Sequence, residues 1–267
     1  MDMKSVEELT HDLGEAVKTI PELYHDGIQP AVQETGKTLA LIPRSINAAL
    51  AGLQQWIAHR EYNVEETKKL LAIKLEKVGA DKIVPPEPYI AVPAIQALSY
   101  SMNSDVLRNM YANLLATSMN IDQKWNVHPS FVEVIKQLSP DEAKILNILT
   151  NDSYPIIDLK LVRPGGKFSI ILKNYTNIAD NICEHPDKIF SYLDNLKRLE
   201  LIEISFDSYI ANESVYKQLE NHPNVKKVQD SGIKKMDKED RWEFDRKYFQ
   251  LTQYGRDFKD VCVKESV

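Results

Sequence analysis

Cysteine is nearly missing from this chain. Cys183 and Cys262 are the only two in 267 residues, too few for a disulfide framework or a zinc site. Both stand in apolar stretches read as helical, where small thiols are buried. Glycine is scarce too, at nine residues, against many leucines, isoleucines, lysines and glutamates, a balance that favours helix. Positive charge is not in excess: Lys and Arg total 33 against 39 acids, a net charge of −6 with a pI near 5.6. That excludes a protein that coats nucleic acid by bulk charge and leaves room only for a local basic face. The N-terminus, MDMKSVEELTHDL, has no long apolar region, so no secretory signal is visible and a cytoplasmic protein is expected. An apolar share of 43% and a charged share of 27% belong to a soluble globular chain. Its length allows one large domain or two ordinary ones, and no internal repeat is visible.

Motifs for chemistry are equally thin. The six histidines are His11, His25, His59, His128, His185 and His222, and none has metal-ligand spacing to another ligating residue. Three precede proline, where His-Pro is a device for stopping one element and starting the next. His128 is the one worth testing. Gly165-Gly166-Lys167 lacks the strand–loop–helix setting and the spacing of a phosphate loop. There is no nucleophile elbow and no dinucleotide fingerprint. The expectation is a non-enzymatic protein with no cofactor and no metal.

What is present is helical patterning, strongest over residues 104–143. Leu107, Met110, Tyr111, Leu114, Leu115 and Met119 form one apolar face at i, i+3, i+4, i+7 spacing. After a polar link, Ser130 can cap a second helix that turns Phe131, Val134, Ile135 and Leu138 to one side. Ser139 then caps a third, with Pro140 at its first position and Asp141 and Glu142 suiting the helix dipole. Links this short predict that the three pack together.

Two strings in this stretch, Tyr111-Ala112-Asn113-Leu114-Leu115-Ala116-Thr117-Ser118-Met119 and the run from His128-Pro129-Ser130-Phe131 to Ala143, resemble the bacterial abortive infection alpha family. The resemblance extends from about Pro30 to Cys262, with Asn113, Ser118, His128, Pro129, Ser130 and Phe131 as signature positions. It implies phage defence and assigns no catalytic residue.

Elsewhere, the periodicity predicts a helix over 5–20, with a capping box at Ser5 and Glu8, and another from Pro30. Residues 38–57 are the most apolar stretch of this half. Pro43, Arg44, Asn47 and two glutamines interrupt it, so a buried helix is expected rather than a membrane span. Asn63 and Glu66 cap a further helix that carries Leu71, Leu75 and Val78 inward and ends at Gly79. Val84-Pro85-Pro86-Glu87-Pro88 is an extended connection, and a short helix follows over 92–99.

After Leu149 the alternation of residues 157–161 and 167–172 about Arg163-Pro164-Gly165-Gly166 predicts a β-hairpin. Helices are predicted over 174–184, 186–199 and 214–221, and strands over 201–204 and 248–251. A final helix runs through Val261. The mixed-charge run 225–246 is expected as a mobile excursion. The string YLDNLKRLELIEI followed by FQLTQYGRDF resembles a winged-helix module.

The expected architecture is therefore mainly α with a small β part. Residues 1–138 form a helical bundle. Residues 139–267 form a winged-helix-like α+β domain with a charged insertion near 222–247. Its recognition helix would offer Lys188, Asn195, Lys197 and Arg198 to nucleic acid, beside Asp187, Asp194 and Glu200, a poor footprint for phosphate. Protein partners or self-association are the leading expectation. Nucleic-acid regulation and membrane action through residues 38–57 are the alternatives.

Overall fold

The computed structural model describes residues 69–76, 78–98, 104–233 and 236–264. The helices predicted at 5–20 and from Pro30, the apolar stretch 38–57 and the Asn63 cap lie outside them. Among the described residues no helix is long and apolar enough to cross a membrane. The chain is mainly α with a small antiparallel sheet, and it divides into two compact units. One holds the residues up to Gln137 together with those from Asp260; the other is Leu138–Lys259.

In the first unit residues 69–75 are helical, and Leu71 and Leu75 are buried. Helix α1 is Pro88–Leu98, four residues earlier than the pattern suggests. Pro88 opens the helix instead of closing the extended stretch, because a proline suits the first helical position, where its missing N–H costs nothing. Helix α2 is Asp105–Ser118, capped by the Ser104 hydroxyl, and α3 is Ser130–Lys136. The three pack on one another, burying Ile90, Ala94, Leu98, Met110, Leu114, Leu115, Phe131 and Ile135. A single π-helical turn, Lys259–Val263, carries the chain back into this unit.

The second unit opens with α4, Pro140–Ile148. Its predicted cap is a reciprocal one: the Glu142 N–H donates to Ser139 Oγ at 3.3 Å, and the Ser139 N–H donates to Glu142 Oε2 at 2.6 Å. At the other end the Lys259 ammonium donates to the carbonyls of Leu146 and Asn147, both at 3.0 Å, and of Leu149. It thereby satisfies groups a helix leaves open and places a cation where the dipole favours one. The helix packs on α5, Ile189–Arg198, so the third helix of the signature stretch belongs to this unit and not to a trio with α2 and α3.

The predicted hairpin is β1, Tyr154–Val162, and β2, Phe168–Tyr175. Gly165 and Gly166 turn between them at φ of 80° and 77°, where a side chain is strained. The sheet runs β2-β1-β4-β3, with every neighbour antiparallel. Strand β3 is Ile202–Ile204 and β4 is Arg241–Leu251. Strand β3 follows α5 and pairs with β4. Helices α6, Glu213–Glu220, and α7, Pro223–Ile233, stand between them, and β4 continues along β1, so the sheet has four strands.

Two expectations are corrected here. The stretch 174–184 is not a helix: β2 continues to Tyr175, Asn174 takes a φ of 56°, and turns follow. The mixed-charge run 225–246 is not an excursion either, since it forms α7 and most of β4. Its sparse apolar residues are the ones that matter: Val225 is buried, and Val228, Trp242 and Phe244 pack against Ile157, Leu159, Tyr175, Tyr216 and Leu219.

Candidate functional site

The signature positions of the first unit are held in structural bonds. Asn113, Thr117 and Ser118 make a buried polar stripe on α2, beside its buried apolar residues. The last carbonyls of a helical turn lack internal partners, and this stripe supplies two. Asn113 Nδ2 donates to the Cys262 carbonyl at 3.0 Å, and Thr117 Oγ1 to that of Val261 at 3.4 Å. Ser118 Oγ bonds back to the Leu115 carbonyl at 2.7 Å. Asn113 Oδ1 is buried with no hydrogen-bond partner.

Ser130 is not the cap of α3 but its first residue. His128 does the capping: its Nδ1 accepts from the Ser130 N–H at 3.2 Å and lies 2.6 Å from Ser130 Oγ. Pro129 already has helical backbone angles, and the His128 ring sits 6.0 Å from the ring of buried Phe131.

The four groups proposed for nucleic acid lie on or just before α5. Arg198 Nε and Nη2 both donate to Asn195 Oδ1, at 3.1 and 2.6 Å. The Lys197 ammonium stands 4.9 Å above the Phe206 ring. Lys188 is in the preceding 3-10 turn, directly after Asp187.

Asp141, read from sequence as a dipole-matching residue, is a buried hub. Its carboxylate accepts from the Glu184 and His185 N–H groups at 2.9 and 3.0 Å, from Tyr192 Oη at 2.9 Å and from Lys144 Nζ at 3.1 Å. Burial alone would raise this carboxyl, but the four donors outweigh it and hold it at about 2 against an ordinary 3.8. Burial and the Asp141 charge push the neighbouring Cys183 thiol up to about 11, so it is no thiolate at neutral pH.

Because the folded value of Asp141 lies below the unfolded one, its stabilisation is complete above about pH 5 and is lost as pH falls toward 2, a contribution of about 2 kcal/mol. The urea-midpoint gap between wild type and Asp141→Asn should therefore be wide at neutral pH and close at about pH 2.

A second polar chain joins Tyr175, His222 and Asp180. Tyr175 Oη is 2.5 Å from His222 Nδ1, and His222 Nε2 is 2.9 Å from Asp180 Oδ2. Nδ1 also accepts the Asn224 N–H at 3.3 Å, so the proton sits on Nε2 and faces the carboxylate. Burial, then the Asp180 charge, pushes the phenol up to about 12. It is a neutral donor at pH 7.

The cleft that sequence reading missed belongs to the second unit. It is an open cleft of about 610 Å³ between the loop at 206–209, α6 and β4. The Tyr216 hydroxyl donates to the Lys247 carbonyl at 2.9 Å and accepts from the Ile210 N–H at 2.8 Å, fixing the loop to the strand. Phe206 and Tyr209 stand on the rim, 72% and 63% exposed. Carboxylates surround them at Asp207, Glu213, Glu220 and Asp245. Arg246 neutralises part of this charge, bonding Glu220 at 2.8 Å and lying 3.8 Å from Glu213, while Lys160 pairs with Asp245. The lining offers aromatic faces and carboxylates, groups that receive a cationic or apolar side chain. Among the described residues no three ligating side chains are grouped to hold a metal ion.

The sequence pattern of the abortive infection alpha family matches residues 59–262. That range covers most of the chain, with α1, α2 and all but the last residue of the π-turn, and the chain belongs to this family. No curated protein and no solved structure matches it.

Proposed function

We propose that this protein serves abortive-infection-type phage defence in the bacterial cytoplasm by binding other protein chains, without a chemical step of its own. The observation that carries the reading is a set of exposed large apolar side chains in the second unit: Phe168, Ile170 and Ile171 on β2, and Phe206 and Tyr209 at the cleft. Exposed apolar groups rimmed by charge are the usual mark of a protein-contact surface. The architecture inferred for this role is a helical bundle up to Leu138 carrying a winged-helix-like module that serves protein contacts. The mutual bonding of Asn195 and Arg198 on α5 favours this use over groove reading.

Bacteria carrying the gene, against an empty vector, should give fewer plaques, and their cultures should survive phage at low dose but not at high dose. Phe206→Ser with Tyr209→Ser should abolish this protection while leaving the circular dichroism spectrum unchanged. A broad phage panel with no difference between gene and vector would overturn the reading.

A further inference from the structure

Among the described residues the sheet has two open edges, β2 and β3. An edge strand presents unpaired N–H and C=O groups and is a template for another strand unless it is guarded. Strand β2 is not short: eight residues, with Phe168 55%, Ile170 45% and Ile171 43% exposed. Lys167 and Lys173 flank this apolar run, and Arg163 stands at the turn, all three exposed. Edge β3 has the opposite character. Exposed Glu203 lies between buried Ile202 and Ile204, with exposed Glu200 before it and exposed Phe206 and Asp207 after it.

We propose that a second copy of this chain docks its β3 edge on β2, so that the sheet continues from one copy into the next. Three observations support this occupant. The edges are complementary in charge, with lysines and an arginine on one and glutamates and an aspartate on the other. Both offer exposed apolar groups to bury, Phe168, Ile170 and Ile171 against Phe206. The directions also agree. With order β2-β1-β4-β3 and every neighbour antiparallel, β2 and β3 run opposite ways, so a copy added by translation across the sheet brings β3 antiparallel to β2.

Pairing of β2 with β2 is disfavoured by the same charges. A two-fold register centred on Ile170, which overlaps the whole apolar run, sets Lys167 of each copy opposite Lys173 of the other, and like charges directly opposed are destabilising. The β3 side is held in shape from within: Gln250 Nε2 donates to Glu203 Oε1 at 2.7 Å, and Lys197 covers one face of Phe206. The contact uses two different surfaces, so it is head-to-tail and does not close on itself as an isologous dimer does. Exposed charge pairs make it sensitive to salt.

This inference rests on the reading of the protein as one that works through protein contacts, and it is tested on the purified full chain by sedimentation velocity. Wild type should show concentration-dependent species larger than the monomer at low salt, diminished at high salt. Lys167→Glu with Lys173→Glu gives a copy whose two edges are both acidic. Glu203→Lys with Asp207→Lys gives one whose two edges are both basic. Each variant alone should associate about tenfold more weakly or worse, with an unchanged circular dichroism spectrum. Mixed in equal amounts they should associate again, because each acidic edge then meets a basic one.

A wild type that stays monomeric at low salt overturns the proposal. So does a mixture that fails to recover association, or a β3 variant that associates as wild type does, which would mean β2 pairs with itself. A monomeric wild type that still protects against phage removes only the self-assembly. A wild type that assembles yet protects against nothing removes the defence reading and leaves the contact standing.

Discussion

Asp158→Ala should lower the unfolding free energy by about 3–5 kcal/mol, among the largest effects of any side-chain truncation in the second unit. Asp158, Lys247 and Asn174 are each more than nine-tenths buried and bond in a closed triangle. Lys247 Nζ is 2.8 Å from Asp158 Oδ1 and donates to Asn174 Oδ1 at 2.6 Å, and the Asn174 N–H donates to Asp158 Oδ1 at 2.7 Å. The register explains the geometry. Asp158 stands opposite Asp245 on β4, so Lys247 is its diagonal neighbour, within reach of a long side chain. Removing the carboxylate leaves an ammonium buried and unpaired and frees the N–H of a residue at φ 56°. Replacing both charges, as Asp158→Leu with Lys247→Met, should cost less than Asp158→Ala alone, because no charge is then left uncompensated. Urea unfolding of the single and double variants measures both. A double variant as unstable as the single would show that the loss arises from packing and not from the orphaned charge.

Gly255→Ala should cost about 3 kcal/mol or more, beyond the usual penalty for one added methyl in a packed site. Gly255 follows the Thr252 cap at the start of helix α8, Gln253–Phe258. A Cβ there would lie 1.9 Å from the Leu201 carbonyl oxygen and 2.8 Å from its carbon. That carbonyl is not free to move. It accepts the Thr252 N–H at 3.1 Å, and Ile202 begins β3 in register with Leu251. The strain is steric, so Gly255→Ser should cost at least as much, whereas Gly166→Ala, with open space around its Cβ, should cost only the price of a positive φ. Thermal melts of the three variants test the ranking.

The parts of the fold that could be read from sequence are those whose instructions are local. Ser139 and Pro140 mark the start of α4, and two glycines mark the hairpin turn. What escaped was written in long-range partners. The alternation of Trp242 and Phe244 with Glu243 and Asp245 is a period-2 signal, but the charged residues around it read as solvated chain, and only pairing with β1 turns it into a strand. The stretch 174–184 has helix-compatible residues, yet the Asp141 carboxylate takes the N–H groups of Glu184 and His185 from more than forty residues away. The cleft draws on residues from 206 to 247. Its one sequence signal was the exposed pair Phe206 and Tyr209 in a polar loop, beside acidic residues. His128 could be found as a signature position, but its capping of α3 was credited to Ser130.

The bond between Asn113 and the Cys262 carbonyl spans 149 residues of chain, and every residue of the second unit lies between its ends. On a ribosome adding ~5–20 residues each second, Asn113 is made roughly 7 to 30 s before its partner. Through that interval the polar stripe of α2 has nothing to bond in the π-turn, and the first unit stays unfinished while the second can already fold. Completion of the first unit thus reports that the second has been translated. A chain arrested anywhere between them carries an open, hydrogen-bond-hungry seam, a handle for the proteases and chaperones that clear unfinished proteins.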